Sequence, residues 1–307
     1  MASRPKVVLA RKLPAAGLAL LSERFDVEQG LDHAPGAVAI VTDPSVPVDA
    51  EFLDFAGRSL KVVSNFGVGY DNFDLEALRV RGLRATNTPD VLTNATAELA
   101  VALMLAAGRR IVEGDALVRG GRWTGGGAEK LLGRELSGAA VGLIGFGRIG
   151  RRVAELLRGF GARILYTSRH EAPASLGGER GELGDVLARS DFVSVHVALT
   201  PETRHLIGVD ELARMGDGAV FVNTSRGAVV DTKALIEGLR AGRPAAAGLD
   251  VYEDEPQVPV DLRELPNTVL LPHVGSATAS TRDAMARLCA ENVIAVVEGR
   301  EPPAAVI

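Results

Sequence analysis

The sequence predicts an α/β chain of two domains, each built on a parallel sheet, the second of them doubly wound. Three observations predict it. The 307 residues exceed one core at roughly 150 residues per domain. Short β-rich runs alternate with helical stretches along the whole chain, the pattern of βαβ units. A Gly-x-Gly-x-x-Gly signature follows one such run and opens an apolar-periodic helix.

In order, strands are expected at 6–9, 37–41, 61–65 and 83–86, with helices at 15–25, 49–56 and 74–81. A longer helix is expected at 93–110, its apolar run closing on Arg109 and Arg110, where positive charge suits the dipole. Residues 120–133 form a glycine-rich loop around the only tryptophan, Trp123, and read equally as linker, subunit contact or active-site flap. A second series follows, with strands at 140–146, 163–167, 192–198, 219–224, 245–251 and 268–272 and helices at 151–160 and 183–189. Its valine, alanine and leucine content suits strands buried on both faces. Residues 280–299 form one long amphipathic helix.

Composition excludes several classes. With 47% hydrophobic and 24% charged residues the chain is globular, not disordered. A formal net charge of −5 argues against a nucleic-acid binder. The longest apolar run, 99–107, is under half of the ~20 residues that span a bilayer, so no membrane association is expected. One cysteine, Cys289, rules out an internal disulfide and reads as a core thiol. The first ten residues lack a signal-peptide layout, so a cytoplasmic location is expected.

Ligands in open parallel sheets bind beyond the carboxyl ends of the strands, so the strand ends carry the functional argument. The first is Gly145-Phe146-Gly147-Arg148-Ile149-Gly150, a Rossmann-type dinucleotide signature. There Gly145 permits the turn, Gly147 lets backbone approach a pyrophosphate, and Gly150 lets helix and strand pack closely. The second bears Ser168-Arg169 where an NAD site has a carboxylate, so NADPH is expected to be preferred, with NADH possible. A solvated arginine is the plainer reading of Arg169. The third, Val197-Ala198-Leu199-Thr200-Pro201, can line a cofactor face; His196 before it reads as a packed strand residue and His205 beyond it as a surface or capping group. The fourth carries Arg226, whose planar fork suits a carboxylate, beside Gly227. The fifth carries Asp250 and an acidic turn with Glu253, Asp254 and Glu255; the sixth carries His273. Thr203, Thr224, Ser225, Gly275 and Ser276 complete the candidate cofactor contacts, and no metal is expected. Arginine, a carboxylate and histidine on successive strand ends can reduce a 2-oxo acid: the arginine fixes the substrate, and the histidine, oriented by the carboxylate, protonates the carbonyl oxygen. Spacing alone leaves Glu253 and Glu255 tied.

The whole chain resembles the D-isomer-specific 2-hydroxyacid dehydrogenase family, within it the glyoxylate/hydroxypyruvate reductase group. The likeness rests on Asn65-Phe66-Gly67-Val68-Gly69-Tyr70-Asp71, Thr96-Ala97-Glu98-Leu99-Ala100, the glycine signature, and Leu199-Thr200-Pro201-Glu202-Thr203-Arg204-His205-Leu206-Ile207. It rests equally on Asn223-Thr224-Ser225-Arg226-Gly227, Leu249-Asp250-Val251-Tyr252-Glu253-Asp254-Glu255-Pro256 and Leu271-Pro272-His273-Val274-Gly275-Ser276. The resemblance implies that Arg226, Glu255 and His273 are the catalytic triad and that Asp250 lies near the nicotinamide amide. It implies that Val68 and Gly69, with Arg226 and His273, bind substrate, which leaves Glu253 and Asp254 as a solvated turn. It further implies a dinucleotide-binding domain at 98–283, inserted into a flavodoxin-like substrate domain formed by 1–97 and 284–307. Catalysis in the cleft between them, a small 2-oxo acid or D-2-hydroxy acid substrate and a homodimer complete the expectation. Ser168-Arg169 and the stretch 123–127 depart from the family pattern. The alternatives are a hydroxyphenylpyruvate-type reductase, a formate or phosphite dehydrogenase, and a nucleotide-sensing scaffold without turnover; the intact Arg226, Glu255 and His273 argue against the last.

Overall fold

A computed structural model describes residues 4–126, 128–171 and 176–307; Gly127 of the 123–127 stretch and the first three residues of the leader reading lie outside them. In chain order the strands are β1 (Lys6–Leu9), β2 (Asp26–Gln29), β3 (Ala39–Thr42), β4 (Val62–Asn65), β5 (Arg84–Thr86), β6 (Ala140–Ile144), β7 (Arg163–Thr167), β8 (Glu179–Arg180), β9 (Phe192–Val195), β10 (Val220–Asn223), β11 (Ala246–Leu249) and β12 (Thr268–Leu270). The helices are α1 (Ala15–Ser22), α2 (Ala50–Ala56), α3 (Leu75–Val80), α4 (Thr93–Gly108), α5 (Ile111–Arg119), α6 (Arg148–Leu157), α7 (Leu183–Ala188), α8 (Val209–Arg214), α9 (Thr232–Ala241), α10 (Val260–Arg263) and α11 (Ala279–Val297).

The chain forms two compact units, residues 93–275 and the remainder. Their boundaries precede α4 and α11, several residues before the 98 and 283 of the sequence reading, because those limits would cut through the two helices.

The unit of 93–275 is a seven-stranded, all-parallel sheet in the order β12-β11-β10-β9-β6-β7-β8. This is the doubly wound order of a Rossmann-type sheet with one strand added. Its central strands β6, β9 and β10 are wholly buried, which is why they read as continuous apolar runs. On one face Leu103, Met104, Val153 and Leu157 of α4 and α6 pack on Val141, Leu143 and Val222. On the other, Val186, Leu212, Leu235 and Leu239 of α7–α9 pack on Ile144, Val193 and Phe221.

The other unit holds a five-stranded parallel sheet, order β2-β1-β3-β4-β5, the flavodoxin-like arrangement. Val8, Ile40 and Val63 pack under Leu53 and Leu78 of α2 and α3. Helices α1 and α11 lie together: a Cβ on Gly17 would sit 2.3 Å from the Ala286 carbonyl oxygen, so the close approach requires glycine there. Cys289 is a buried thiol beside the Asn65 carbonyl, and burial pushes it up to about 12.

Several elements differ from the sequence expectation, among them β2, β8, α1, α5 and α6; α8, α9 and α10 are not anticipated either. β2 and β8 are edge strands with polar, largely exposed residues and carry no apolar run. Residues 111–119, unassigned in sequence, form α5, which begins after Arg110 turns left-handed at φ 53°. α1 ends at Ser22, not 25. α6 begins at Arg148, inside the glycine signature, rather than at 151. No described helix is long and apolar enough to cross a membrane.

Candidate active site

The C-terminal ends of the seven parallel strands carry most of the predicted residues. At the switch point between β6 and β9, Gly145 adopts φ 97°, and a Cβ there would meet the His196 carbonyl at 2.8 Å. Gly150 sits so close to the Gly145 carbonyl that a Cβ would fall 2.4 Å from its oxygen, whereas nothing lies within 4 Å of a Cβ on Gly147. The turn, the packing contact and the open approach are the three features a pyrophosphate cradle at the start of α6 needs. Ser194 Oγ, His196 Nε2 and Thr224 Oγ1 are buried at the neighbouring strand ends with no partner among the described residues. Burial holds the His196 imidazole down to about 4, hence neutral. This donor and acceptor set fits a dinucleotide.

Other candidates take more local parts. Phe146 is buried and stacks on Tyr166 at 4.2 Å, so its side chain belongs to the core. Ile149 and Val197 pack against the two cores. Thr203 Oγ1 donates to the Ala198 carbonyl and accepts from Thr200 N, shaping the 198–203 turn. After β7, Ser168 and Arg169 have a neighbour the sequence did not single out: Arg180 on β8 donates to the Ser168 carbonyl at 3.0 Å.

Arg226, Glu255 and His273 follow the adjacent strands β10, β11 and β12. Arg226 is set by an Asn-centred turn: Asn223 Oδ1 accepts from Ser225 N, and Asn223 Nδ2 donates to the Arg226 carbonyl at 2.9 Å. Gly227 is required by close approach: a Cβ there would lie 1.8 Å from the Tyr252 carbonyl carbon. Tyr252 ties the acidic turn to β12, its hydroxyl donating to the Leu271 carbonyl at 2.9 Å. Glu255 Oε1 accepts from Tyr252 N at 2.9 Å, and Glu255 Oε2 lies 2.8 Å from His273 Nδ1. His273 holds a left-handed φ of 54°, an uncommon conformation for a residue with a Cβ. Asp250, 1% exposed, accepts from Val274 N and Gly275 N at 2.7 and 2.8 Å and so fixes the backbone after His273. Burial pushes the Asp250 carboxyl up, opposed by those two donors and the His273 charge.

Glu253 corrects the sequence reading. It is not a solvated residue: its side chain is 24% exposed and its Oε1 lies 2.6 Å from His205 Nε2. Two segments distant in sequence make this pair, so no local pattern announces it. The tie between Glu253 and Glu255 thus separates in the structure, each carboxylate holding its own histidine.

In the other unit, Val68 and Gly69 follow β4. Their carbonyls are held by Asn87 Nδ2 at 2.8 Å and Asn65 Nδ2 at 2.5 Å, two buried asparagines whose role the sequence did not reveal. Among the described residues nothing accepts from the Val68 and Gly69 N–H groups, which form a small donor pair suited to an anion. Ser276 Oγ accepts from Arg282, whose guanidinium lies 4.2 Å above the Phe66 ring.

Glu255 gives a pH prediction. Burial pushes its carboxyl up, but the His273 hydrogen bond and charge, the Tyr252 N–H and Arg226 bring it below the ordinary 4.5. A folded value below the unfolded one stabilises the fold above pH 4.5, and this stabilisation disappears as the pH falls through the folded value. Glu255→Gln should therefore lower Tm above pH 4.5, with the difference from wild type shrinking as the pH falls below 4.5. Thermal melts across that range check it; a gap constant down to the acid end would count against the pairing.

Comparisons with known proteins place the chain in a family. Residues 101–275 match the family described as D-isomer specific 2-hydroxyacid dehydrogenase, NAD binding domain. Glyoxylate reductase from Thermococcus litoralis is 45% identical over 98% of this chain and 96% of its own. A glyoxylate reductase structure from Paecilomyes thermophila superposes with TM-score 0.90 at 35% identity, covering 100% of this chain and 99% of that one. The NADPH-dependent glyoxylate/hydroxypyruvate reductase of Sinorhizobium meliloti, solved with NADP and malonate, gives TM-score 0.91 at 36% identity over 99% and 97%. With matches of this identity and coverage, the chain belongs to the D-isomer specific 2-hydroxyacid dehydrogenase family.

Proposed function

We propose that this protein reduces glyoxylate and hydroxypyruvate to the corresponding 2-hydroxy acids with NADPH. The observation that carries the reading is the Glu255–His273 pair at 2.8 Å, joining the ends of β11 and β12 next to the β10 end that bears Arg226. Relatives named for glyoxylate and hydroxypyruvate reduction support the substrate class.

The unit of 93–275 holds the cofactor, through the glycine signature, Thr224 and the ends of β7 and β9. When bound, the nicotinamide supplies the hydride. This chain's residues do the rest. Arg226 binds the substrate carboxylate and polarises the carbonyl. His273, with Nδ1 engaged by Glu255, delivers a proton from Nε2 to the carbonyl oxygen. Glu255 orients the ring through the Nδ1 contact. The N–H groups of Val68 and Gly69 take a substrate carboxylate oxygen. A homodimer belongs to the same proposal, supported by the exposed Ile111, Val112 and Val118 of α5 and the exposed Trp123 and Leu132 beyond it.

Turnover of glyoxylate, hydroxypyruvate, pyruvate and hydroxyphenylpyruvate, each with NADPH and NADH, tests the reading. The two small acids with NADPH should lead. A lead for hydroxyphenylpyruvate would move the substrate assignment, and no turnover of any would remove the enzyme reading. Arg169 is assigned to the 2′-phosphate, where a charge-assisted hydrogen bond contributes about 1.5–3 kcal/mol. Wild type should then favour NADPH by about ten- to a hundredfold in kcat/KM. Arg169→Ala should remove most of that preference by weakening NADPH, with NADH nearly unaffected, at one ionic strength because salt screens the contact. A ratio indifferent to Arg169 would end this assignment and leave the reductase reading standing.

A further inference from the structure

The turn that carries Glu255 is gripped by a second carboxylate–histidine pair. Glu253 Oε1 lies 2.6 Å from His205 Nε2 and 3.7 Å from the Arg204 guanidinium, and Glu253 Oε2 accepts from Thr232 Oγ1 at 3.2 Å. His205 adopts a left-handed φ of 52°, with its N–H bonded to the Ala228 carbonyl at 2.8 Å. Against the same turn rests Gly227, where a Cβ would lie 2.3 Å from Glu253 N. Segments 204–205, 227–228 and Thr232 therefore converge on Glu253, two residues before the carboxylate that holds His273.

We propose that Glu253 and His205 are positioning residues: they hold the 252–255 turn so that Glu255 stays within hydrogen-bond reach of His273. The inference rests on the reading of Glu255 and His273 given above and deepens it. Glu255 and His273 side chains are 34% and 41% exposed, and a hydrogen bond between such groups is weak unless the carboxylate is already in place. Glu255 projects from a turn, where its oxygens meet Tyr252 N and His273 Nδ1 and feel the Arg226 charge. The turn's other anchors add the rigidity, among them the Glu253 carboxylate with its charged partners His205 and Arg204. The charged groups facing it are His205 and Arg204; Thr232 is neutral, and Asp254 lies exposed on the turn itself. A misplacement of ~1 Å at a reacting group can cost ~100-fold in rate, so a loosened turn should be visible in kinetics.

The test uses the full chain with glyoxylate and NADPH, in Glu253→Ala, His205→Gln, Glu255→Gln and the double variant Glu253→Ala/Glu255→Gln. Glu253→Ala should lower kcat about tenfold, with NADPH Kd within about twofold of wild type. It should also move the alkaline limb of the pH–kcat/KM profile to lower pH, the direction Glu255→Gln gives. His205→Gln should keep kcat within about threefold of wild type, because the amide can still donate to Glu253. The double variant should be no worse than Glu255→Gln alone, since Glu253 acts through Glu255. If Glu253→Ala fails to fold, Thr232→Val, which removes one donor to Glu253, should move the limb in the same direction by less. An unmoved limb, or losses that multiply in the double variant, would overturn the proposal and leave Glu253 a stability residue. A silent Glu255→Gln would instead overturn the reading of Glu255, and this inference with it.

Discussion

His273→Ala lowers kcat for 2-oxo acid reduction by about 10²–10⁴, the usual contribution of a positioned general acid. The magnitude follows from the ring's surroundings. Nδ1 is engaged by Glu255 at 2.8 Å, so Nε2 is the nitrogen available to a substrate. A protonated ring bonded in this way has one N–H left to give, and its orientation is fixed at both ends of the side chain. The backbone end is held at φ 54° by Asp250, which accepts from the next two N–H groups. NADPH affinity should change by less than about twofold, because the imidazole serves the substrate. Alanine is itself disfavoured in the left-handed region, so His273→Asn provides the control: asparagine tolerates that conformation but cannot supply the proton. Both variants should be equally inactive and comparably folded. Near-wild-type turnover in either would remove His273 from the mechanism. Glu255→Gln should shift the alkaline limb of the pH profile to lower pH, because the anion that favours the charged ring is gone.

Parts of this site are legible in sequence because local geometry demands particular residues. Gly145, Gly147 and Gly150 could be given separate tasks from the strand–turn–helix context alone: Gly145 and Gly150 meet the close contacts their tasks require, and the approach at Gly147 is open. Central strands such as β9 and β10 announce themselves because burial on both faces selects continuous apolar runs. The edge strands β2 and β8 do not, since an edge open to water places no such demand. The contacts that fix the catalytic side chains are the hardest to anticipate. The Glu253–His205 pair joins residues 48 apart, and Glu255 reaches His273 across 18. Asn65 and Asn87 hold the carbonyls of Gly69 and Val68, yet an asparagine at a strand end has many commoner uses. Composition and periodicity report on burial; pairings of this kind depend on the register of distant strands, which only the assembled sheet supplies.

Arg226→Lys should lower kcat/KM for the 2-oxo acid by about ten- to a hundredfold, the equivalent of one charge-assisted hydrogen bond. Lysine keeps the positive charge, so the loss isolates the geometry of the fork. Several contacts hold that geometry. Arg226 Nη1 donates to the Ser225 carbonyl at 2.9 Å, the Arg226 carbonyl is held by Asn223, and Gly227 leaves no room for a Cβ against Tyr252. The guanidinium is therefore oriented before a substrate arrives, which lowers the entropic cost of engaging two oxygens at once. A flexible ammonium on the same backbone can reach one oxygen but cannot span two. Arg226→Ala should cost more, about a thousandfold or beyond, because it also removes a charge that helps hold Glu255 ionised. In both variants the Kd for NADPH should stay within a few-fold of wild type. The measurement that decides is the pair of constants taken together. If Arg226→Lys weakens NADPH strongly while KM for glyoxylate stays normal, the arginine serves the cofactor. If kcat/KM falls with NADPH binding intact, Arg226 is the clamp that aligns the carbonyl with the proton on His273.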